Sequence, residues 1–299
     1  MRLGTDTHHG FIIVEAVSHS VGGDDPLGRA LSDYHRGEHE EPLVDRDGAE
    51  TREQPVERFC FGEFDPKSER GEWLRAWLSG PLLDVGAGAG RDTLYFQDRF
   101  ETVAIDVSEP LVETMRERGV GDARRVDMFA LRDAFERDRF RSGLVWGAQI
   151  GLAGSMQGLR EFFGDLAFVT TPDATAVVHG YDPESGPIEE LLGYRPDPTP
   201  GLAYRVVHST YENDHQTLLF RLFSPDRLRE AVVGTGWEVA EIEHAPSESS
   251  SYHVALRKLP RSNGSGLTGQ NIGTSSSRCR STRMCPAPTN RTVVRRPLP

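Results

Sequence analysis

The 299-residue sequence is poor in cysteine and lysine: Cys60, Cys279 and Cys285 are its three thiols, and Lys67 and Lys258 its only lysines. Three scattered thiols build no disulfide framework, and none stands at a zinc-ligand spacing from the histidines, so no metal site is expected. No apolar run approaches the roughly 18 residues of a spanning helix; the stretch from Phe11 to Val14 stops at Glu15. That argues against an integral membrane protein. A secretory leader needs an apolar stretch of about 7 to 15 residues, and Arg2 with this brief patch does not supply one. A cytoplasmic chain is expected.

Acid, too, is missing from one end. All 46 acidic residues lie at or before Glu248, whereas eight of the 34 basic residues lie at Lys258 or beyond. The net charge of −12 therefore hides an acidic body and a basic end. The body lacks the basic face that nucleic acid or an anionic membrane would need, so neither is expected as a partner. An acidic, lysine-poor surface repels itself in dilute salt and is screened in concentrated salt. The composition resembles that of proteins from salt-loving archaea; an acidic cytoplasmic protein from a GC-rich genome is the alternative.

The hydrophobic fraction of 37% is enough for a buried core. Four regions follow along the chain. Residues 1–26, with His8-His9 and Gly22-Gly23, have no sustained period and read as a loose leader. Residues 27–65 are strongly charged, but Leu27, Leu31 and Tyr34 stand at helical spacing, which predicts a helical cap over another surface. Residues 66–258 alternate short β-rich runs with helical segments, the pattern of a parallel sheet with crossover helices. Residues 259–299 are Ser, Arg, Pro and Gly without acid, and such a segment buries too little to repay its ordering entropy. It reads as a disordered basic tail or an out-of-frame end. A nucleic-acid-binding arm is the other possibility, although the tail has no aromatic residue to stack on bases.

The chemically informative segment is Pro81-Leu82-Leu83-Asp84-Val85-Gly86-Ala87-Gly88-Ala89-Gly90-Arg91-Asp92. An apolar strand runs into three glycines at alternate positions, and Arg91 opens a helix carrying Leu94, Tyr95 and Phe96. Glycines let the turn approach a ligand, and free N–H groups of the following helix favour an anion. The next strand, from Thr102, ends in Asp106, where a carboxylate can accept from both hydroxyls of a ribose. A third unit, from Ala123, ends in Asp127 followed by Met128, an acid for an exocyclic amine beside an apolar cover for a purine. Each acid could instead cap the next helix. Ser108 with Pro110 already supplies that start after Asp106, which leaves Asp106 for a ligand.

This series resembles the class I S-adenosylmethionine-dependent methyltransferases over roughly residues 58–258. A nicotinamide dinucleotide site prefers Gly-x-Gly-x-x-Gly, and its third glycine would fall where Arg91 stands. The resemblance implies an α/β fold, a doubly wound, seven-stranded, mostly parallel sheet with an N-terminal helical cap and a β-hairpin inserted at about 202–223. It implies S-adenosyl-L-methionine as cofactor and a small-molecule acceptor. Gly86, Gly88 and Gly90 would shape the loop against the methionine and ribose parts, with Asp84 beneath it and Arg91 beside it. Asp106 would hold the ribose and Val107 the adenine; Asp127 would receive the adenine amine and Met128 the other ring face.

Further candidates come from the later strands. The fourth ends in Trp146-Gly147-Ala148-Gln149, where the family places the transferred methyl. The Asp/Asn-Pro-Pro-Tyr/Phe motif of many enzymes that methylate exocyclic or amide nitrogen is absent here. Trp146 is either a cation–π partner of the sulfonium or a core residue. Gln149 falls on the acceptor side. His179, on the fifth strand, is either a general base or a satisfied structural residue. A lid made by the cap and the hairpin would bring Tyr34, His35, Arg36, His208 or Tyr211 toward the acceptor. The competing functions are a protein that binds the cofactor without turnover and an NAD(P)-dependent oxidoreductase.

Overall fold

The computed structural model describes residues 25–244 and 249–260. The expected leader up to residue 24, the tail from residue 261, and with it Cys279 and Cys285, lie outside the described residues.

The N-terminal segment forms helix α1 (Pro26–Arg36) and a hairpin of β1 (Val44–Asp47) and β2 (Glu50–Glu53). The βα series follows: α2 (Glu69–Trp77), β3 (Leu82–Val85), α3 (Arg91–Gln97), β4 (Thr102–Asp106), α4 (Glu109–Glu117), β5 (Ala123–Arg125), α5 (Leu131–Ala134), β6 (Phe140–Val145), α6 (Met156–Val169) and β7 (Thr170–Tyr181). Then come β8 (Tyr194–Pro196), β9 (Leu202–Tyr211), β10 (Asp214–Phe223), α7 (Pro225–Val232), β11 (Trp237–His244) and β12 (Ser251–Lys258).

Seven strands form the main sheet in the order β11-β12-β7-β6-β3-β4-β5. The pairs β3–β4, β4–β5, β3–β6 and β6–β7 are parallel, and β12 runs antiparallel to both its neighbours. Alternate residues of the central strands enter different apolar layers. Leu83, Val85, Val103, Ile105 and Val145 pack with Leu159, Phe162 and Phe163 of α6 and Leu228 of α7. Leu82, Leu144 and Val177 pack instead with Leu74 of α2 and Phe96 of α3, while Ala104 meets Val112 and Met115 of α4. Both faces are thus covered by helices, which is why these strands read as continuous apolar runs. The α/β, doubly wound, mostly parallel architecture expected from the sequence is present.

The order reverses at β3: the chain moves outward to β4 and β5, then returns to β6 on the other side. Such a switch point leaves a crevice at the carboxyl ends of the strands. A second sheet stands beside the first. Its hairpin β9–β10 has the register Tyr211↔Asp214 to Leu202↔Phe223, and β9 also pairs with β1 and β8. Asp45 of β1 fixes that union, accepting from Ser209 Oγ at 2.6 Å and Gln54 Nε2 at 2.7 Å.

Helix α1 starts at Asp25, whose carboxylate accepts the Gly28 N–H at 2.9 Å, with Pro26 in the first turn; it ends where Gly37 turns left-handed at φ 75°. Its packing face keeps Leu31 and Tyr34 from the expected spacing and leaves Leu27 out. Leu27 is 38% exposed, and Ala30, Leu31 and Tyr34 make the contact with Leu43, Leu111 and Tyr211. Among the described residues, no helix is long and apolar enough to cross a membrane.

Candidate functional site

The loop after β3 meets the tip of its neighbour β4 beside the switch point, with β5 next outward. After β3 the loop residues Gly86, Gly88 and Gly90 have φ of 66°, 58° and 78°, in the left-handed region that glycine alone enters freely. The three have different surroundings. A Cβ on Gly90 would lie 2.9 Å from Val120 Cγ2, and one on Gly86 would lie 2.7 Å from Gln149 Cδ. One on Gly88 would meet nothing within 4 Å, so this glycine faces open space.

Asp106 ends β4 beside that space. Its Oδ2 accepts the Gly88 N–H at 3.1 Å and its Oδ1 the Ser108 N–H at 3.0 Å. Burial pushes its carboxyl up to about 6; the Ser108 and Gly88 amides oppose the rise and the Asp25 carboxylate adds to it. Val107, next in the chain, is 42% exposed. Ser108 caps α4, and its hydroxyl also donates to Asp25, so the first turns of α1 and α4 converge beside Asp106.

Asp84 lies beneath the loop, buried, and accepts from Thr93 Oγ1 at 2.5 Å. Burial, and then the Asp92 carboxylate, push it up to about 7, against the pull of Thr93, Arg70 and Arg91. Arg91 Nε donates to Asp92 Oδ1 at 3.2 Å, and Arg70 of α2 donates to Asp92 Oδ2. Asp127 acts as a cap, its Oδ1 accepting the Phe129 N–H at 2.9 Å. Met128 is buried in the layer beneath α6.

At the exit of β6, Trp146 is half-buried with the Arg70 guanidinium 4.1 Å from its ring centroid and the His253 and His179 rings at 4.5 and 5.1 Å. A side-chain cation therefore lies against this indole. Gly147 and Ala148 are both left-handed, at φ 79° and 63°. For alanine that conformation costs on the order of 1–2 kcal/mol, so something must hold it. His179 does: its Nδ1 accepts the Ala148 N–H at 2.9 Å. Burial, then His253 and Arg70, push His179 down to about 3, so it is neutral near pH 7.

The lid candidates are arranged otherwise. Tyr211 is buried, donates to Asp33 Oδ2 at 3.0 Å and stacks on His39 at 5.5 Å. His208 meets Thr217 Oγ1 at 2.7 Å within the β9–β10 ladder. Tyr34 packs on Phe61 at 4.8 Å. His35 stands 3.8 Å from Glu117, and Arg36 donates to the same carboxylate at 3.0 Å. Glu117 ends α4, whereas the Asp106 side of that helix is its first turn. The glycine loop, Asp84, Arg91, Asp106, Val107, Trp146, Gln149 and His179 are thus brought together at the switch point, and Tyr34, His35, Arg36, His208 and Tyr211 serve the cap and its hairpin.

Arg70 has no local signature. Its spacing marks only the first turn of a helix capped by Ser68, and its neighbours Asp92 and Trp146 arrive from other elements.

The chain matches no protein-family model and no curated protein. Among solved structures it is similar to an S-adenosylmethionine-dependent methyltransferase from Bacteroides fragilis in complex with S-adenosylhomocysteine. The identity is 23%, the TM-score 0.62, and the match covers 79% of this chain and 95% of that one. It is also similar to the CcbJ methyltransferase from Streptomyces caelestis, at 15% identity and a TM-score of 0.55 over 78% of this chain and 98% of that one. The match covers nearly the whole of both solved structures, so this chain, with its seven-stranded sheet reversing at β3, shares the fold of those methyltransferases.

Proposed function

We propose that this chain is an S-adenosylmethionine-dependent methyltransferase acting on a small-molecule acceptor. The observation that carries the reading is Asp106: a buried carboxylate at a strand end, tied to the N–H of a glycine loop that faces open space at Gly88. A plain structural cap needs no such room. The two solved structures support the reading by fold, and one of them holds S-adenosylhomocysteine.

S-adenosylmethionine supplies a methyl group on a sulfonium for in-line attack by the acceptor. The residues of this chain bind and orient. Asp106, once ionised, would accept from the ribose hydroxyls, and Val107 offers an exposed apolar face to the adenine. Asp127 would take the adenine amine through its carboxylate, with Met128 supporting it from the core. Asp84 and Arg91 would serve the amino-acid end, and the left-handed glycines keep side chains out of its path. Trp146, at the exit of β6, would border the acceptor. Holding a nucleophile about 3 to 3.5 Å from the methyl in a dry site is worth roughly 7 to 11 kcal/mol, so a general base is needed only for an acceptor that is protonated in its ground state.

The acidic, lysine-poor body supports a salt-rich cytoplasm as its setting, and a stability that rises with molar KCl would test that. The function is tested by calorimetry of the full chain with S-adenosylmethionine, S-adenosylhomocysteine and NAD(P), together with native mass spectrometry of what co-purifies. Binding of the first two alone is expected; binding of NAD(P) alone would overturn the proposal. Labelled methyl transfer to an acid- and amine-rich metabolite panel then separates an enzyme from a silent binder.

A further inference from the structure

We propose that Gln149 is a cofactor-side residue and that His179 is the positioning residue that sets it there. This rests on the methyltransferase reading and assigns two residues within it.

Gln149 follows two consecutive left-handed residues, Gly147 and Ala148, and opens the short turn Gln149–Ala153. Its side chain crosses from the β6 exit to the β3 loop. A Cβ on Gly86 would lie 2.7, 2.9 and 3.0 Å from Gln149 Cδ, Cγ and Nε2, so the amide rests on the first glycine of the loop, and the absence of a side chain at Gly86 makes that crossing possible. The amide is half-buried and has no hydrogen-bond partner among the described residues, which leaves its N–H donors and its carbonyl acceptor for a ligand in the crevice.

The crossing depends on the turn, and the turn depends on His179. Alanine gains nothing locally from the left-handed region, and the tertiary contact made by the Ala148 N–H is with His179 Nδ1 at 2.9 Å. A nitrogen that accepts is unprotonated, so in its neutral form the ring carries its proton on Nε2. The ring is further packed by Trp146, His253 and Tyr181, with centroids at 5.1, 5.4 and 5.5 Å, and Arg70, His253 and Tyr181 are the charged or titratable groups near it. His179 therefore acts through Ala148 on Gln149 and exchanges no proton with the acceptor.

The test is a double-mutant cycle read by calorimetry with S-adenosylmethionine on the full chain. Gln149→Ala and His179→Leu are each expected to weaken binding about tenfold, and the double variant to be no weaker than either, because both remove one interaction. His179→Asn keeps an acceptor near the Nδ1 position and is expected to bind within about threefold of the parent. Losses that multiply to about a hundredfold, or an unchanged Gln149→Ala, would overturn the proposal. Should His179→Leu fail to fold, His179→Gln, which moves the acceptor one bond outward, takes its place in the cycle. Imidazole 15N spectra provide a readout that a merely structural histidine need not show: a single Nε2–H tautomer from pH 5 to 8 is expected, and titration inside that range contradicts it. If the parent chain does not bind S-adenosylmethionine at all, the methyltransferase reading fails first, and that outcome is distinct from a cycle that proves additive.

Discussion

The main-chain N–H of Gly88 donates to Asp106 Oδ2 at 3.1 Å, joining the loop after β3 to the tip of the neighbouring strand β4 beside the sheet's switch point. Removing that carboxylate removes both a loop anchor and the proposed ribose acceptor. Asp106→Ala should weaken S-adenosylmethionine binding by about 1.5–3 kcal/mol, the range for hydrogen bonds to a charged group. Because Asp106 ionises only as pH rises through about 6, affinity should fall about tenfold per pH unit below that value and level off above it. Calorimetry between pH 5 and 8 checks this; a flat profile would exclude Asp106 as the acceptor.

Gly88 and Gly90 share a left-handed backbone but not their surroundings, so alanine should separate folding from binding. Gly88→Ala has free space for its Cβ and should cost only the conformational penalty of roughly 1–2 kcal/mol, while weakening the cofactor at least about tenfold by filling the crevice. Gly90→Ala carries the same penalty plus a Cβ 2.9 Å from Val120 Cγ2, and should be the less stable of the two in urea. The reverse order would mean that the loop backbone is arranged differently.

Asp84 gives a pH-dependent stability with a definite sign. Its folded pKa, about 7, lies above the ordinary 3.8, so the folded state holds a proton that the unfolded chain has already lost. The resulting cost is absent below about pH 4, grows between pH 4 and 7, and is complete above 7. Asp84→Asn keeps an acceptor for Thr93 Oγ1 and removes the charge beside Asp92. It should stabilise the ligand-free chain by on the order of 2–4 kcal/mol at pH 8 and by nothing at pH 4. Equal stability of the two proteins across that range would show that Asp84 is already ionised at low pH.

What the sequence disclosed and what it hid have physical causes. Central strands buried on both faces are continuous apolar runs, so β3 and β4 stand out, and the glycines and Asp106 follow them directly. The helix α6 also has a signal, Ser155 as cap with Leu159, Phe162, Phe163 and Leu166 on one face. The β1–β2 hairpin does not: Val-Asp-Arg-Asp and Glu-Thr-Arg-Glu have no apolar alternation, and only Asp47-Gly48 marks the turn. Their pairing is decided by β9 and by the buried Asp45, more than 150 residues away in sequence from Ser209. Leu27 and Met128 show the same limit from the other side. Spacing places a residue on a face, but whether that face meets the core or the solvent is set by elements that arrive later in the chain.

Tyr211 tests the cap separately from the crevice. Its ring lies in the cluster with Ala30, Leu31 and Ala89, and its hydroxyl donates to Asp33 of α1. Burial, reinforced by Asp33, raises its pKa well above the ordinary value, so the phenol remains a donor throughout the neutral and mildly alkaline range. Tyr211→Phe removes that donor and keeps the packing, and should cost about 0.5–1.5 kcal/mol. Tyr211→Ala removes the ring as well and should cost about 3–5 kcal/mol. Hydrogen exchange locates the effect. Amides of α1 and β1 should exchange faster in Tyr211→Phe while those of β3 and β4 keep the protection of the parent, because the ring joins the hairpin to the cap and does not touch the central strands. Loss of protection in β3 to the same degree would mean that cap and sheet open as one unit, and the lid could then not admit a ligand without unfolding the protein.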